Sequence, residues 1–473
     1  MTLPDRFVSE VQTLLGPKGW SRDPGLLEAA ATPWRGSHAG TTPLLVMPST
    51  TEETAALVRV CGRYGIAITP QGGNTGLVDA GTPHGEVTLS LRRMQAIRQT
   101  DPFNNSLTIE AGAPLTLAQQ AAEGVQRLFP LSLGSEGTAT IGGLISTNAG
   151  GVAVLRYGMM RDLILGLEVV LANGDIWDGL SGLRKNNTGY DLKHVFAGAE
   201  GTLGIITAAT LKLFPRTARA TAWVTCDSAQ AVIELLAHVR DVAGDTVTSF
   251  EFIPAAAIEM VLRDQPSLRD PHPSNAPWRV LCEISMPKYE QARMLLEEAL
   301  SQAFETGLAS DAVMAESLAQ AQGFWSIRES IPLSKRAYGT AINHDISVPV
   351  SQIPAFLNAA ETRLSKIVPG VTLIAFGHVG DGNIHYSACR SDRLDSTVLN
   401  ERAEEVTQAV HELAMTFKGS ISAEHGVGRL KRDELEVLRP TAATEAMKAI
   451  KQALDPQGLL NPGRVVSVPG PLN

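Results

Sequence analysis

Apolar residues recur at helical spacing at Phe7, Val8, Val11, Leu14 and Leu15, and Pro17-Lys-Gly closes that run. Pro43 to Pro48 (PLLVMP) reads as a short strand. Ser49-Thr-Thr-Glu-Glu is a helix start, with glutamates near the positive end of the dipole. Ala55 to Tyr64 continues that helix, and Ile66-Ala-Ile-Thr is the next strand. Val87-Thr-Leu-Ser-Leu and Ser106-Leu-Thr-Ile-Glu alternate and are β-branched, as strands are. Residues 115–124 read as helix. Ile164 to Leu171 is a strong strand that turns at Asn173-Gly174 and returns through Asp175-Ile-Trp. Ile205-Ile-Thr and Thr210 to Phe214 are strand-like, and Pro215 closes the region. Further on, Ala222 to Cys226, Val280 to Ile284, Ile342 to Val350 and Val371 to Phe376 predict strands. Ala229 to Val242, Lys288 to Thr306 and Ala315 to Glu329 predict helices. This order fits an open-faced sandwich, with a domain boundary near residue 216.

Three glycine-rich stretches interrupt the pattern. Leu131 to Gly151 (LSLGSEGTATIGGLISTNAGG) carries six glycines among short hydroxyl and amide side chains. Glycine lets backbone approach a ligand, and Ser, Thr and Asn hydrogen-bond at that range. Residues 137–155 hold no charge, but they are too polar to sit in hydrocarbon. Pro70 to Gly76 (PQGGNTG) follows a strand directly and is suited to an anion-binding nest for a phosphate or pyrophosphate. Phe196 to Gly204 (FAGAEGTLG) is the third stretch. No strict GxGxxG occurs. Each loop alone is an ordinary turn; three of similar chemistry point to one cofactor.

Composition narrows the class. A chain of 473 residues exceeds one core, so two or more domains are expected. The formal net charge of −9 argues against a non-specific nucleic-acid binder. Cys61, Cys226, Cys282 and Cys389 are far apart and form no CxxC, which suits a reducing compartment. No secretion signal or apolar run of membrane-spanning length is seen, so a cytoplasmic protein is expected.

Candidate chemistry lies near the C-terminus. After Phe376 comes Gly377-His-Val-Gly-Asp-Gly-Asn-Ile-His385. The Gly380-Asp-Gly382 turn places His378 and His385 on opposite arms of a hairpin. Ser422 to Gly428 (SAEHGVG) adds Glu424 and His425. Two histidines and a carboxylate suit a divalent transition metal with open positions.

Eight pieces together resemble the FAD-linked D-2-hydroxyacid dehydrogenase family, which includes D-2-hydroxyglutarate dehydrogenases, D-lactate dehydrogenases and glycolate oxidase flavin subunits. They are PQGGNTG (70–76), PLSLGSEGTATIGGLISTNAGG (130–151), RYG (156–158), LGLEVVLANG (165–174), LRKNNTGYDLKHVFAGAEGTLGIIT (183–207), GHVGDGNIH (377–385), SAEHGVG (422–428) and LDPQGLLNPG (454–463). The resemblance implies an α+β chain: a vanillyl-alcohol-oxidase/PCMH-type FAD-binding domain over 1–216 (core from about 37), a substrate or cap domain over 217–420 and a C-terminal helical segment over 421–473 that returns to the flavin. It implies cofactor contacts from Pro70, Gly72, Gly73, Asn74, Thr75 and Gly76, from Leu133, Gly134, Ser135, Thr138, Gly142, Gly143, Thr147 and Asn148, and from Gly201, Ile206 and Asn461. Asn74 stands where flavinylated relatives carry a linking histidine, so FAD is expected to be non-covalent.

The resemblance also assigns His378, His385 and Glu424 as ligands of a divalent metal, zinc first and Mn²⁺ or Fe²⁺ behind it. His425 matches the residue that takes the hydroxyl proton as hydride leaves for the flavin. Arg328 matches the arginine that holds the substrate carboxylate. The expected reaction oxidises a small D-2-hydroxyacid, D-2-hydroxyglutarate or a D-lactate-like acid, to the 2-oxoacid. An electron-transfer flavoprotein or quinone would accept the electrons, with a peripheral membrane association through that acceptor. A homodimer is expected. Three positions depart from the hydroxyglutarate pattern: Pro332 for a threonine, Asn343 for a lysine and Ser387 for an asparagine. Asn343 and Ser387 remain substrate-binding candidates. The departures imply a substrate with a different tail unless Lys335 or Arg336 compensates. The competing readings are a metal-dependent hydrolase and a flavin-binding protein without turnover.

Overall fold

The computed structural model describes residues 3–34, 39–391, 394 and 396–467. The expected start of the cofactor domain's core, near residue 37, lies outside them. Residues 1–151, 158–215 and 424–473 form one compact unit, and residues 152–157 and 216–423 form the other. Among the described residues no helix is long and apolar enough to cross a membrane.

Among the described residues the first unit holds two main sheets, besides a two-stranded pair of Arg127–Leu128 with Phe214–Pro215. In the smaller one, Ile68–Gln71 and Leu45–Val46 each run parallel to Val87–Ser90. The larger one is antiparallel, in the order Ile97–Asp101, Ser106–Glu110, Ile205–Lys212, Ile164–Val170, Ile176–Asp178. Thr50 caps the helix Thr51–Tyr64 by accepting the Glu53 N–H, and the Glu53 carboxylate accepts the Ser49 N–H in return. The helix start expected at Ser49-Thr-Thr-Glu-Glu is thus made by the Thr50 cap, with Glu53 reaching back one residue beyond it. The strand expected from Ile66 starts two residues later, at Ile68. The cause is the helix end: Gly65 is left-handed and the Ile66 N–H donates to the Cys61 carbonyl. The two strand fragments near residue 210 are one strand, because buried Ala208 and Ala209 continue the pairing. The C-terminal segment adds to this unit at the edge of Ile68–Gln71. Ile68 donates to the Leu459 carbonyl, and the Asn461 N–H donates to the Ile68 carbonyl.

The second unit is one seven-stranded antiparallel sheet. Its strands are β1 (Ala218–Cys226), β2 (Val247–Pro254), β3 (Trp278–Met286), β4 (Asp311–Met314), β5 (Ala341–Ser347), β6 (Thr372–His378) and β7 (Asn383–Cys389). Their spatial order is β4-β1-β3-β2-β6-β7-β5. Its main helices are α1 (Ala229–Ala243), α2 (Ala255–Asp264), α3 (Tyr289–Glu305), α4 (Leu318–Tyr338), α5 (Ile353–Ile367) and α6 (Ala403–Thr416).

Side chains alternate across a strand, so each strand serves two cores. Ala222, Val224, Phe250, Phe252, Val280 and Cys282 pack with α1, α3, α5 and α6. Trp223, Ile253, Leu281, Ile374 and Phe376 face the other way and pack with α2 and α4. The open-faced arrangement expected from the sequence is therefore corrected: helices cover both faces. The reason is that β1 to β3 are buried along nearly their whole length, which demands cover on each side. Helix α4 starts three residues later than expected, at the Ser317 cap that accepts the Gln320 N–H, and continues through Pro332 to Tyr338.

Phe356 on α5 is fully buried and edge-on to Tyr386 and Phe417. Phe356→Ala should lower unfolding free energy by about 3–5 kcal/mol. Chemical denaturation followed by circular dichroism measures it; a change below about 1 kcal/mol would show that this core is not packed as described.

Candidate active site

Strand register brings the candidate residues of the second unit to one face. Glu251 on β2 lies directly opposite His378 on β6. Phe376 lies opposite His385 on β7, and Asp345 and Asn343 on β5 lie opposite His385 and Ser387. Opposed residues of an antiparallel pair share a face, and residues two apart share it again. Helix α4 covers this face through Ile327 and Ile331.

The two histidine rings are 5.5 Å apart and nearly perpendicular. Each has a carboxylate behind its Nδ1. His378 Nδ1 is 2.5 Å from Glu251 Oε1, and His385 Nδ1 is 3.6 Å from Asp345 Oδ1. An ionised carboxylate can only accept, so in a neutral His378 ring the proton sits on Nδ1 and the lone pair on Nε2. Burial would raise the Glu251 carboxyl, but His378 and Arg328 outweigh it and hold it down at about 2. Glu424 follows Ala423 directly, and the Ala423 N–H donates to the Asp345 carbonyl at 3.2 Å. His378 and His385 offer two donors of the expected ligand set, and Glu424, the third, belongs to the first unit. This donor set fits a divalent transition metal.

Helix α4 supplies two cations. The Arg328 Nε donates to Glu251 Oε2 at 2.7 Å, and its Nη2 is 3.4 Å from His378 Nε2. Lys335 lies two helical turns on, on the same face. Its Nζ donates to Asn343 Oδ1 at 2.8 Å and to Ser387 Oγ at 2.6 Å. The two charges sit 5.1 Å and 5.0 Å from the centre of the Phe376 ring. Pro332 and Arg336 are exposed. Of the two basic residues the sequence offered as replacements for a missing lysine, Lys335 is thus the one aimed at Asn343 and Ser387.

In the first unit the glycine loops press on one another. A Cβ on Gly73 would lie 1.9 Å from the Thr138 carbonyl oxygen, and one on Gly72 would lie 2.2 Å from Thr140 Oγ1. Pro70 packs against Gly201, whose φ is +70°. Cβ atoms on Gly76, Gly134 and Gly137 would meet nothing within 4 Å, so these loops border room the protein does not fill. Thr140 Oγ1 is buried without a hydrogen-bond partner. Close backbone, open space and an unsatisfied hydroxyl fit a bound nucleotide cofactor.

The long stretch the sequence presents as a loop contains the helix Ile141–Thr147. Gly142 packs there against Ala111, and Thr147 Oγ1 donates to the Gly143 carbonyl. Asn148 and Asn74 are left-handed. The Asn148 amide accepts the Arg161 N–H, and Asn74 donates to the Thr32 carbonyl. Asn461 donates to the carbonyls of Ala80 and Glu200. These side chains hold the loops in place. Leu133, Ser135 and Thr75 lie in the same loops, and Ile206 is buried in the adjoining strand.

Sequence reasoning missed three residues. Glu251 and Asp345 back the histidines. Glu200 is a buried carboxylate in the third glycine stretch that accepts the N–H groups of Val427 and Gly428, fixing the chain just past Glu424 and His425. Burial raises the Glu200 carboxyl to about 7 against the pull of those N–H groups. A lone acidic residue in an apolar run, as in SFEFIP, was the available signal.

Comparison with known proteins identifies the family. Residues 216–465 match the family model of the FAD linked oxidases, C-terminal domain, and residues 42–179 match that of an FAD binding domain. The chain is 34% identical over 467 residues to the mitochondrial D-2-hydroxyglutarate dehydrogenase of Arabidopsis thaliana, covering 98% of this chain and 82% of that protein. It is 35% identical to the D-2-hydroxyglutarate dehydrogenase of Stutzerimonas stutzeri (strain A1501), covering 97% and 98%. Among solved structures, p-cresol methylhydroxylase superposes with a TM-score of 0.76 at 19% identity, covering 98% of this chain and 97% of that one. The 4-ethylphenol oxidase of Gulosibacter chungangensis superposes with a TM-score of 0.75 at 16% identity, covering all of both chains. These two share the vanillyl-alcohol-oxidase/PCMH-type fold expected from the sequence. The chain belongs to the FAD-linked oxidases, in the family that includes these D-2-hydroxyglutarate dehydrogenases.

Proposed function

We propose that this protein oxidises a D-2-hydroxyacid to the 2-oxoacid, with non-covalent FAD and a divalent metal, zinc first, held by His378, His385 and Glu424. The observation that carries the reading is two imidazoles, each with a carboxylate behind it, on a sheet face that helix α4 covers with Arg328 and Lys335. The family match favours this over a metal-dependent hydrolase. FAD supplies a two-electron acceptor for the hydride that leaves the hydroxyl-bearing carbon, and a bound cation lowers the pKa of that hydroxyl.

The chain's own residues do the rest. Arg328 Nη1 has no hydrogen-bond partner among the described residues, so its fork can take the carboxylate next to the reacting carbon. His425 accepts the hydroxyl proton, the role its match to the family implies. Lys335 holds a second anionic group on the substrate. Its position beside Asn343 and Ser387 supports a short 2-hydroxydicarboxylate such as D-2-hydroxyglutarate over D-lactate. The positive charge has moved from the strand to the helix rather than disappeared. Reoxidation by an electron-transfer flavoprotein or a quinone, and a homodimeric assembly, complete the reading and rest on the family resemblance.

Three measurements test this. Acid precipitation should release all yellow colour into the supernatant; flavin left on the pellet would contradict the role given to Asn74. His425→Ala should lower turnover about 10²–10⁴-fold in stopped-flow flavin reduction, and an unchanged rate would remove it from proton transfer. Lys335→Met should raise KM for D-2-hydroxyglutarate roughly ten- to hundredfold, as expected from losing a charge-assisted bond of about 1.5–3 kcal/mol. KM for D-lactate should barely move; equal losses on both acids would refute the second-carboxylate assignment.

A further inference from the structure

The geometry points to Glu251 as a positioning residue that sets the affinity of the metal site and the orientation of the substrate arginine together. This rests on the metal reading above. Glu251 is 1% exposed, on the central strand β2, and its place opposite His378 is fixed by backbone pairing. Its two oxygens are divided. Oε1 takes His378 Nδ1 at 2.5 Å, and Oε2 takes Arg328 Nε at 2.7 Å. One carboxylate therefore determines which edge of His378 is offered to a cation and where the Arg328 fork points.

The partner arrangement at His385 is looser. Asp345 Oδ1 stands 3.6 Å from His385 Nδ1 and already accepts the Asn383 amide at 2.8 Å. His378 thus has the tighter of the two carboxylate contacts. A glutamine at position 251 could accept from one partner but would turn an N–H₂ group toward the other, setting donor against donor. Losing the carboxylate frees the His378 ring to rotate and to change tautomer, which weakens it as a ligand.

The test uses the FAD-loaded enzyme, with zinc affinity read by competition against a chromogenic chelator and melting temperature as a control. Glu251→Gln should weaken zinc binding about 10–100-fold. It should also raise KM for the hydroxyacid, because Arg328 loses its anchor. A role limited to packing would shift the melting temperature and leave zinc affinity alone. If the unmodified enzyme takes up no zinc, the metal reading itself fails. If it binds zinc and Glu251→Gln binds equally well, the metal reading stands and the role of Glu251 is overturned.

Removing one partner of a buried pair strands the other charge, so Glu251→Gln can fail to fold. The double variant Glu251→Gln/Arg328→Gln removes both charges, and Arg328→Gln alone is its reference. Zinc binding should be no weaker than wild type in Arg328→Gln and 10–100-fold weaker in the double variant. Wild-type affinity in the double variant would overturn the inference.

Discussion

The register of four antiparallel strands is the constraint on which the candidate site depends. Glu251 faces His378, Phe376 faces His385, and Asp345 and Asn343 face His385 and Ser387 only in the observed pairing. A slip of one residue would turn every one of these side chains to the opposite face, into a core made of Phe252, Val280 and Ile384. The apolar residues of the same strands prevent that slip. Burying Phe250 and Phe252 on one side and Ile253 on the other fixes where Glu251 points.

Placing charge on such a face is costly unless each charge is matched. The second unit meets that condition by sharing partners. Glu251 serves His378 and Arg328; Lys335 serves Asn343 and Ser387 and lies over the same ring as Arg328. Helix α4 can deliver both cations because they lie seven residues apart, two turns on one face. Pro332 falls between them and is exposed; lacking an N–H, it cannot donate to the Arg328 carbonyl one turn back.

The first unit solves a different problem, bringing backbone close to backbone. Gly72, Gly73 and Gly142 sit where any side chain would strike a neighbour, and Gly201 is left-handed against Pro70. The C-terminal segment locks this arrangement. Asn461 bonds to the carbonyls of Ala80 and Glu200, and Glu200 in turn holds Val427 and Gly428. A residue that the glycine pattern marks as part of a cofactor loop thus also fixes the chain that carries Glu424 and His425.

Much of this was legible in the chain itself. The Asn173-Gly174 hairpin, the helix over 115–124 and the His378–His385 hairpin all formed where local signals put them, because each depends on residues close in sequence. The short helix Ile141–Thr147 was hidden by its glycines, which packing against Ala111 rather than helix propensity explains. The sequence by itself determined the element types, the glycine loops and the inventory of histidines and carboxylates. Only the tertiary structure decided which carboxylate stands behind which imidazole, and that Lys335 rather than Arg336 turns toward Asn343. Those choices join residues as far apart as 251 and 378, and no periodicity within one strand or helix encodes the pairing between them.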